Sequence, residues 1–557
     1  ILPSLHCSIV CVLESVILRC FGPDGGQVLF IRDTGQAMIS CSGSRILSAL
    51  RLEHPLARMV VDCVLKHSTA TGDGSKTFVL LLTSLLRTIH ASACKEPNVS
   101  HNYVSRYSAE AATGRHLAFK TLEFASEQLE NLITAAVIPY GCSLLWEYTA
   151  PTAHLQTGAG SRHVQKLLAS FFCSRLSRSQ CDFATSLTCN LLSSCGFKGA
   201  QPSSLLQFLT DNFPTLHTRV SGFPFTCSRL VEGQVIHRDF ASFCPPNVKV
   251  LELACGQTSI VDFKAWAERS LSCVFANLQR LGISLLLSAV KQSPAVLSLA
   301  AQANICIVEC VSEDELTLFA QLNSEERVMV KLWNLVICGP GEGQTDQYAS
   351  AILDAILMLL SAWQPLANTS AKATEKTLND EASTCFPTHP LAVSEPGCVI
   401  PAGGTFEFLL TRALLQQRHK NSGDSDIGTS VVSQLLADAL LTVPRQIYSC
   451  SQRHFLHTQD QILNFIKSHS HPFSLLSMDD LDCCGKASAS LKVIEELGLE
   501  SVSCKYQLLL AVVQCASRLL QVDTVLQTHA VLNTRSHRLT IYWLFGAEFM
   551  SVRNIVV

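Results

Sequence analysis

The chain has 557 residues, 48% of them hydrophobic and 16% charged, with a formal net charge of −3. That length exceeds what one compact core serves, so about two to four folded units are expected, and the apolar content excludes a largely disordered chain. Without a basic excess, nucleic acid and anionic membrane surfaces are excluded as principal partners, and no apolar run reaches the roughly 18 residues of a membrane-inserted helix.

The 25 cysteines are scattered. Cys7/Cys11 and Cys306/Cys310 stand four apart, Cys483-Cys484 are adjacent, and no CxxC units occur in pairs. In a chain this long, such a pattern reads as buried, reduced thiols of a cytoplasmic protein rather than a disulfide framework or a zinc site. The chain opens on Ile1 without a charged-then-apolar leader, which reads as a sequence cut at its N-terminus.

In chain order, Ile9-Val10-Val12-Leu13 and Val16-Ile17-Leu18 carry helical spacing, and Gly22-Pro23-Asp24-Gly25-Gly26 stops that helix. Gln27–Ile31 and Gln36–Ile39 read as two strands about a turn at Asp33-Thr34-Gly35. Helices are predicted over 43–67 and 75–92, a loop at Lys95-Glu96-Pro97-Asn98, and a helix over 104–136. From about 200 to 330 short apolar runs alternate with helical ones: a strand at Leu281–Leu287, a helix over Pro294–Ala303, a strand at Ile305–Glu309. A helix capped by Ser312 with Glu315 in its first turn follows. That order predicts a small parallel α/β sheet. Residues 346–363 read as a helix, the proline-bearing 364–396 as a polar insertion, and 397 to about 527 as helical again, with a His-rich loop at 466–485. Two helical blocks flanking an α/β block predict one helical domain built from both ends of the chain, with the α/β domain inserted.

The stretch richest in chemistry is Thr71-Gly72-Asp73-Gly74-Ser75-Lys76-Thr77. Glycines before a helix let the backbone approach a phosphate, and the helix N-terminus offers unpaired N–H groups. An aspartate inside such a turn suits a Mg²⁺ that the phosphates also touch. A Walker A loop needs Gly directly before the Lys; Ser75 stands there, so a P-loop is rejected. The bland alternative is a turn that merely joins two helices.

Leu52-Glu53-His54-Pro55, Gly72-Asp73-Gly74, Gly397-Cys398-Val399-Ile400-Pro401-Ala402-Gly403-Gly404 and Lys505-Tyr506-Gln507-Leu508-Leu509 together resemble the group II chaperonins, and within them the Bardet–Biedl syndrome chaperonin-like branch. The resemblance runs with gaps from about residue 5 to 526. It implies an α+β multidomain subunit: a discontinuous helical equatorial domain (1–135 and 397–526), an intermediate hinge domain (136–199 and 331–363) and an inserted α/β apical domain (200–330) that holds clients. The polar insertion 364–396 and a divergent tail 527–557 complete the layout.

The resemblance further implies ATP and Mg²⁺ as cofactors. Gly22, Pro23 and Gly25 match the first phosphate loop, and Gly72, Asp73, Gly74 and Ser75 the second, with Asp73 in the metal position. Gly403 and Gly404 match a turn against the nucleotide, Asp523 a segment beside the adenosine, and Asp354 the catalytic aspartate that positions the attacking water. Thr34 replaces an acid at the early turn, Ala402 replaces a glycine, and Lys76 replaces a threonine, either to pair with phosphate or to face solvent. Asp354 and Asp523 read equally as acids on amphipathic helices. The implied function is assistance in assembling the BBSome, with partners among other chaperonin-like Bardet–Biedl subunits, cytosolic chaperonin subunits and BBSome components, in the cytoplasm and at the cilium or basal body. A non-hydrolysing scaffold with a decayed nucleotide site is the second reading. A metabolic α/β enzyme is the third and ranks last, because the 200–330 block offers no convergent polar residues beyond Ser288 and Lys291.

Overall fold

The computed structural model describes residues 2–22, 25–31, 37–94, 103–144, 159–195, 202–233, 235, 238, 240–241, 250–252, 263–323, 333–363, 397–420, 427–468, 498–522, 542–545 and 548–551. Pro23, Asp24, the turn at Asp33-Thr34-Gly35, the loop at Lys95–Asn98, the insertion 364–396, the His-rich stretch from 469 to 485 and Asp523 lie outside the described residues. The chain divides into two compact units, one of residues 1–186 with 346–557 and one of residues 187–345. Among the described residues, no helix is long and apolar enough to cross a membrane.

The first unit is mostly helical. It opens with α1 (Leu2–Leu18) and an antiparallel hairpin, β1 (Val28–Ile31) with β2 (Ala37–Ser40). Then come α2 (Gly43–Ala49), α3 (Pro55–Thr71), α4 (Ser75–Ala93), α5 (Tyr103–Glu127), α6 (Leu129–Ala136), β3 (Cys142–Ser143) and α7 (Ala159–Cys173). The single helix expected over 43–67 is two helices. Pro55 disfavours helical backbone at His54, and His54 instead caps α3, its Nδ1 accepting from the Leu56 N–H at 3.2 Å. The helix expected over 104–136 likewise breaks at Gln128.

α4 is the axis of this core. Every residue from Phe78 to Leu86 is buried, as befits a helix that is apolar almost all round. It packs against α1, α3 and α5. Each fully buried Leu or Phe of this kind contributes about 1.5–3 kcal/mol.

α8 (Arg178–Ser194) runs into the second unit, which continues with α9 (Pro202–Leu216), β4 (His217–Ser221), β5 (Arg229–Glu232), β6 (Val250–Glu252), α10 (Phe263–Arg280), β7 (Leu285–Leu287), α11 (Pro294–Gln302), β8 (Cys306–Val308), α12 (Glu313–Asn323) and β9 (Trp333–Gly339). β6, β7 and β8 form the expected parallel sheet, in that order. β7 is shorter than the run Leu281–Leu287, because Gly282 takes a left-handed turn (φ 71°) after α10. Ser312 and Glu315 make the anticipated capping box: the Ser312 N–H donates to Glu315 Oε2 at 3.1 Å, and the Glu315 N–H donates to Ser312 Oγ at 3.3 Å. A second sheet puts β9 between β4, parallel to it, and β5, antiparallel to it.

α13 (Glu342–Trp363) carries the chain back into the first unit. There follow β10 (Cys398–Pro401), α14 (Thr405–Lys420), α15 (Ile427–Leu440), α16 (Thr442–Ile447), α17 (Gln452–Ser468), β11 (Leu499–Ser501), α18 (Val502–Leu520) and a terminal hairpin, β12 (Tyr542–Phe545) with β13 (Glu548–Ser551). Buried β10 pairs antiparallel with β3 on one side and β11 on the other, with Cys398 opposite Ser143 and Val399 opposite Ser501. α15 and α18 complete the packing around α4.

Candidate functional site

The α3–α4 turn is built by two left-handed glycines. Gly72 (φ 69°) ends α3, its N–H donating to Ser68 O at 2.8 Å; Gly74 (φ 81°) starts α4, whose N-terminus has no side-chain cap. Asp73 stands between them, its N–H donating to Thr71 Oγ1 at 3.4 Å. A Cβ on Gly72 would collide with the Asp354 carbonyl on α13, and one on Gly74 would lie 3.1 Å from Leu508 on α18. Helix packing alone therefore requires Gly72, and the left-handed backbone with a tight contact favours glycine at 74. Beneath the turn, burial pushes His67 down to about 4, although Asp73 opposes the shift, so the ring is neutral near pH 7.

Arg175, just past α7, reaches into this turn. Its side chain is 5% exposed, with one terminal nitrogen 3.2 Å from Asp73 Oδ1, the other donating to Gly72 O at 2.5 Å, and Nε 3.8 Å from Asp354 Oδ2. The guanidinium lies 4.0 Å from the Phe171 ring centroid, a stacked cation–π contact. The Arg175 carbonyl accepts from the Cys41 thiol at 2.7 Å and from Gln347 Nε2 at 3.4 Å, which pins the backbone as well. Burial raises the Asp354 carboxyl to about 6; Arg175 and Arg45 pull it down and Asp73 pushes it up.

Lys76 does not face solvent. Its ammonium donates to Cys20 O at 2.9 Å and Ser174 O at 3.0 Å, and burial holds it below the usual lysine range. It ties the α4 N-terminus to the end of α1 and to the segment carrying Arg175. Ser75 is buried against the start of α2, where a Cβ on Gly43 would stand 2.7 Å from its Oγ.

The other glycine turns meet at α16. Gly22 (φ 83°) faces Ile447 Cα at 4.0 Å, measured from a built Cβ. Gly403 (φ 88°) accepts at its carbonyl from the Tyr448 hydroxyl at 3.0 Å. A Cβ on Gly404 (φ 96°) would lie 2.7 Å from Pro444 Cβ. Gly25 turns back on the Cys20 carbonyl. The structure thus links the 20–25 turn to the 72–76 turn through Lys76, and to the 403–404 turn through 444–448. Asp73 and Asp354 converge on one guanidinium. Pro23 and Asp523 lie outside the described residues.

A second buried charge cluster stands on the β10–β11 side. Lys505 Nζ lies 2.8 Å from Glu407 Oε1 and 3.0 Å from Glu500 Oε2, and Glu407 is 1% exposed. Burial raises Glu500 to about 7, with Lys505 opposing and Glu407 adding. Burial also pulls the Lys505 ammonium down, but the two carboxylates outweigh it and hold it above the ordinary lysine value.

Sequence reasoning missed Arg175. Its one local signal is the preceding Phe171-Phe172 pair, which reads as core. The roles of Glu407 and Glu500 were missed as well. Mg²⁺ fits this donor set poorly. Asp73 is already paired with Arg175, Asp354 faces the same cation, and among the described residues no three His, Cys, Asp or Glu side chains converge on a point.

A model of the TCP-1/cpn60 chaperonin family matches residues 13–137, the stretch containing both early glycine turns. The chain is 28% identical over 416 residues to the BBSome complex assembly protein BBS10 of Pongo abelii, covering 64% of this chain and 57% of that protein. It is 32% identical over 333 residues to the Mus musculus protein of the same name, covering 56% of this chain and 46% of that one. The chain is therefore similar to chaperonin-family proteins, and residues 13–137 match the family's model. It spans about half the length of the curated relatives it matches. A crystal structure of a group III chaperonin in the open state superposes with a TM-score of 0.56 at 15% identity, covering 94% of this chain and 98% of that one, so the chaperonin fold extends well beyond the matched segment.

Proposed function

We propose that this chaperonin-like protein is an ATP-binding assembly factor that helps build a multi-subunit complex. The name of its relatives, BBSome complex assembly protein, points to the BBSome as that complex. The observation that carries the nucleotide reading is the linkage of three separate glycine turns: Lys76 on the Cys20 carbonyl joins the first two, and the 444–448 segment lies against Gly403 and Gly404 and faces Gly22. In this reading 1–135 with 397–526 is the equatorial domain, 136–199 with 331–363 the intermediate domain, and 200–330 the apical, client-holding domain. Partners are other chaperonin-like Bardet–Biedl subunits, cytosolic chaperonin subunits and BBSome components, in the cytoplasm and at the ciliary base.

The Arg175 contacts favour a second reading, a scaffold that binds nucleotide without hydrolysing it. An aspartate whose carboxylate faces a buried guanidinium is poorly placed to orient a water molecule. Binding of a fluorescent ATP analogue and phosphate release by the purified protein separate the two. Turnover that Asp354→Ala abolishes supports hydrolysis; binding without turnover supports the scaffold; absence of binding removes the nucleotide from the proposal.

A further inference from the structure

We propose that Arg175 is the built-in cation of the Asp73 turn, occupying the electrostatic place of a divalent metal, so that the pocket excludes Mg²⁺ and any nucleotide it holds is bound metal-free. Three observations carry this. The guanidinium is almost fully buried yet makes direct contact with Asp73 and faces Asp354. Its position is set by groups on separate elements: the Phe171 ring under its face, the Gly72 carbonyl on one nitrogen, and Cys41 and Gln347 on its own carbonyl. The local carboxylates are already met by protein cations, with Lys76, Arg175 and Arg45 against Asp73 and Asp354, and each cation is turned toward protein oxygens.

A divalent ion on Asp73 would sit beside a guanidinium that cannot lose its proton, and like charges in a partly desolvated site repel strongly. Asp73 keeps 45% of its side chain exposed, so the obstacle is charge and not access. The remaining groups near this point offer little compensating negative charge: Glu500 feels Asp73 but is held by Lys505, His67 is neutral, and the Gly72 carbonyl is taken by Arg175.

The metal-exclusion claim stands on the ion pairs alone; its nucleotide clause rests on the pocket proposed above. The test for metal is titration of the full chain with Mn²⁺ alone, read by the electron-paramagnetic-resonance signal of the free ion. Wild type is expected to bind no Mn²⁺ at a site sensitive to Asp73→Asn. Arg175→Gln is expected to gain such a site with at least about tenfold higher affinity, lost again in Arg175→Gln with Asp73→Asn. Arg175→Lys, which keeps the charge, is expected to behave as wild type. Wild-type Mn²⁺ binding that Asp73→Asn abolishes overturns the proposal, whether or not the Arg175 variants fold. A folded Arg175→Gln protein that gains no site also overturns it.

The nucleotide clause is read separately, by binding of the fluorescent ATP analogue with Mg²⁺ and with EDTA. Equal affinity supports it, and loss in EDTA overturns it. Failure to bind in either buffer removes the nucleotide reading and, with it, this clause, while the Mn²⁺ result still decides the role of Arg175.

Discussion

Asp354 shows how a single side chain is held between opposing effects. Burial favours its neutral form and outweighs the pull of Arg175, so the carboxyl titrates near 6 rather than 3.8. A carboxyl raised in the folded state adds stability below its unfolded pKa, and that stability is lost as pH rises through the folded value. Asp354→Asn removes the penalty of ionisation. Relative to wild type, the variant is therefore expected to gain stability as pH rises from about 4 to about 6, by at most about 3 kcal/mol, and to keep that gain at higher pH. Urea denaturation at several pH values checks this; a difference that is flat or falls across that window refutes the assignment. Gly72 teaches a related point at the same scale. Its sequence suggested a phosphate cradle, but its immediate need is to clear the Asp354 carbonyl.

At the scale of elements, the Lys505 cluster joins α18, α14 and β11. Lys505→Met leaves Glu407 buried without its cation and is expected to cost about 3–5 kcal/mol. Adding Glu407→Gln should recover part of that loss, because only Glu500, which burial already pushes toward its neutral form, then lacks its cation. Midpoints of chemical denaturation for the single and double variants measure it, and equal midpoints for all three proteins would remove the cluster from the stability argument. Much of the element layout was legible beforehand. Gly22 stops α1, the Gly72–Gly74 pair separates α3 from α4, and Ser312 with Glu315 starts α12. These are local effects of backbone freedom and capping. The break before Pro55 is equally written in the chain: proline's effect on the residue before it outweighs the apolar spacing that predicts one continuous helix.

For the whole molecule, the first unit is made from both ends of the chain, and its two segments meet on the unit itself. Gln180 Nε2 donates to the Tyr348 hydroxyl at 2.7 Å, and Gln347 reaches the Arg175 carbonyl. Replacing residues 187–345 by a short Gly-Ser linker is therefore expected to leave a folded helical protein. Retained far-ultraviolet helicity and a cooperative thermal transition are the expected result; a broad, non-cooperative melt would mean that the core depends on the excised unit.

The sequence by itself determined the helix ends written in glycine and capping residues, the helical run that becomes α4, the strands that become β7 and β8 and their parallel setting, and the chaperonin likeness of its glycine turns. Such features depend on spacings of a few residues, which repeat visibly along a chain. The tertiary structure alone decided the electrostatics of the site. Arg175 meets Asp73 across 102 positions and Lys505 meets Glu407 across 98. Burial sets what each pairing does to charge, and burial arises only once distant helices have packed together.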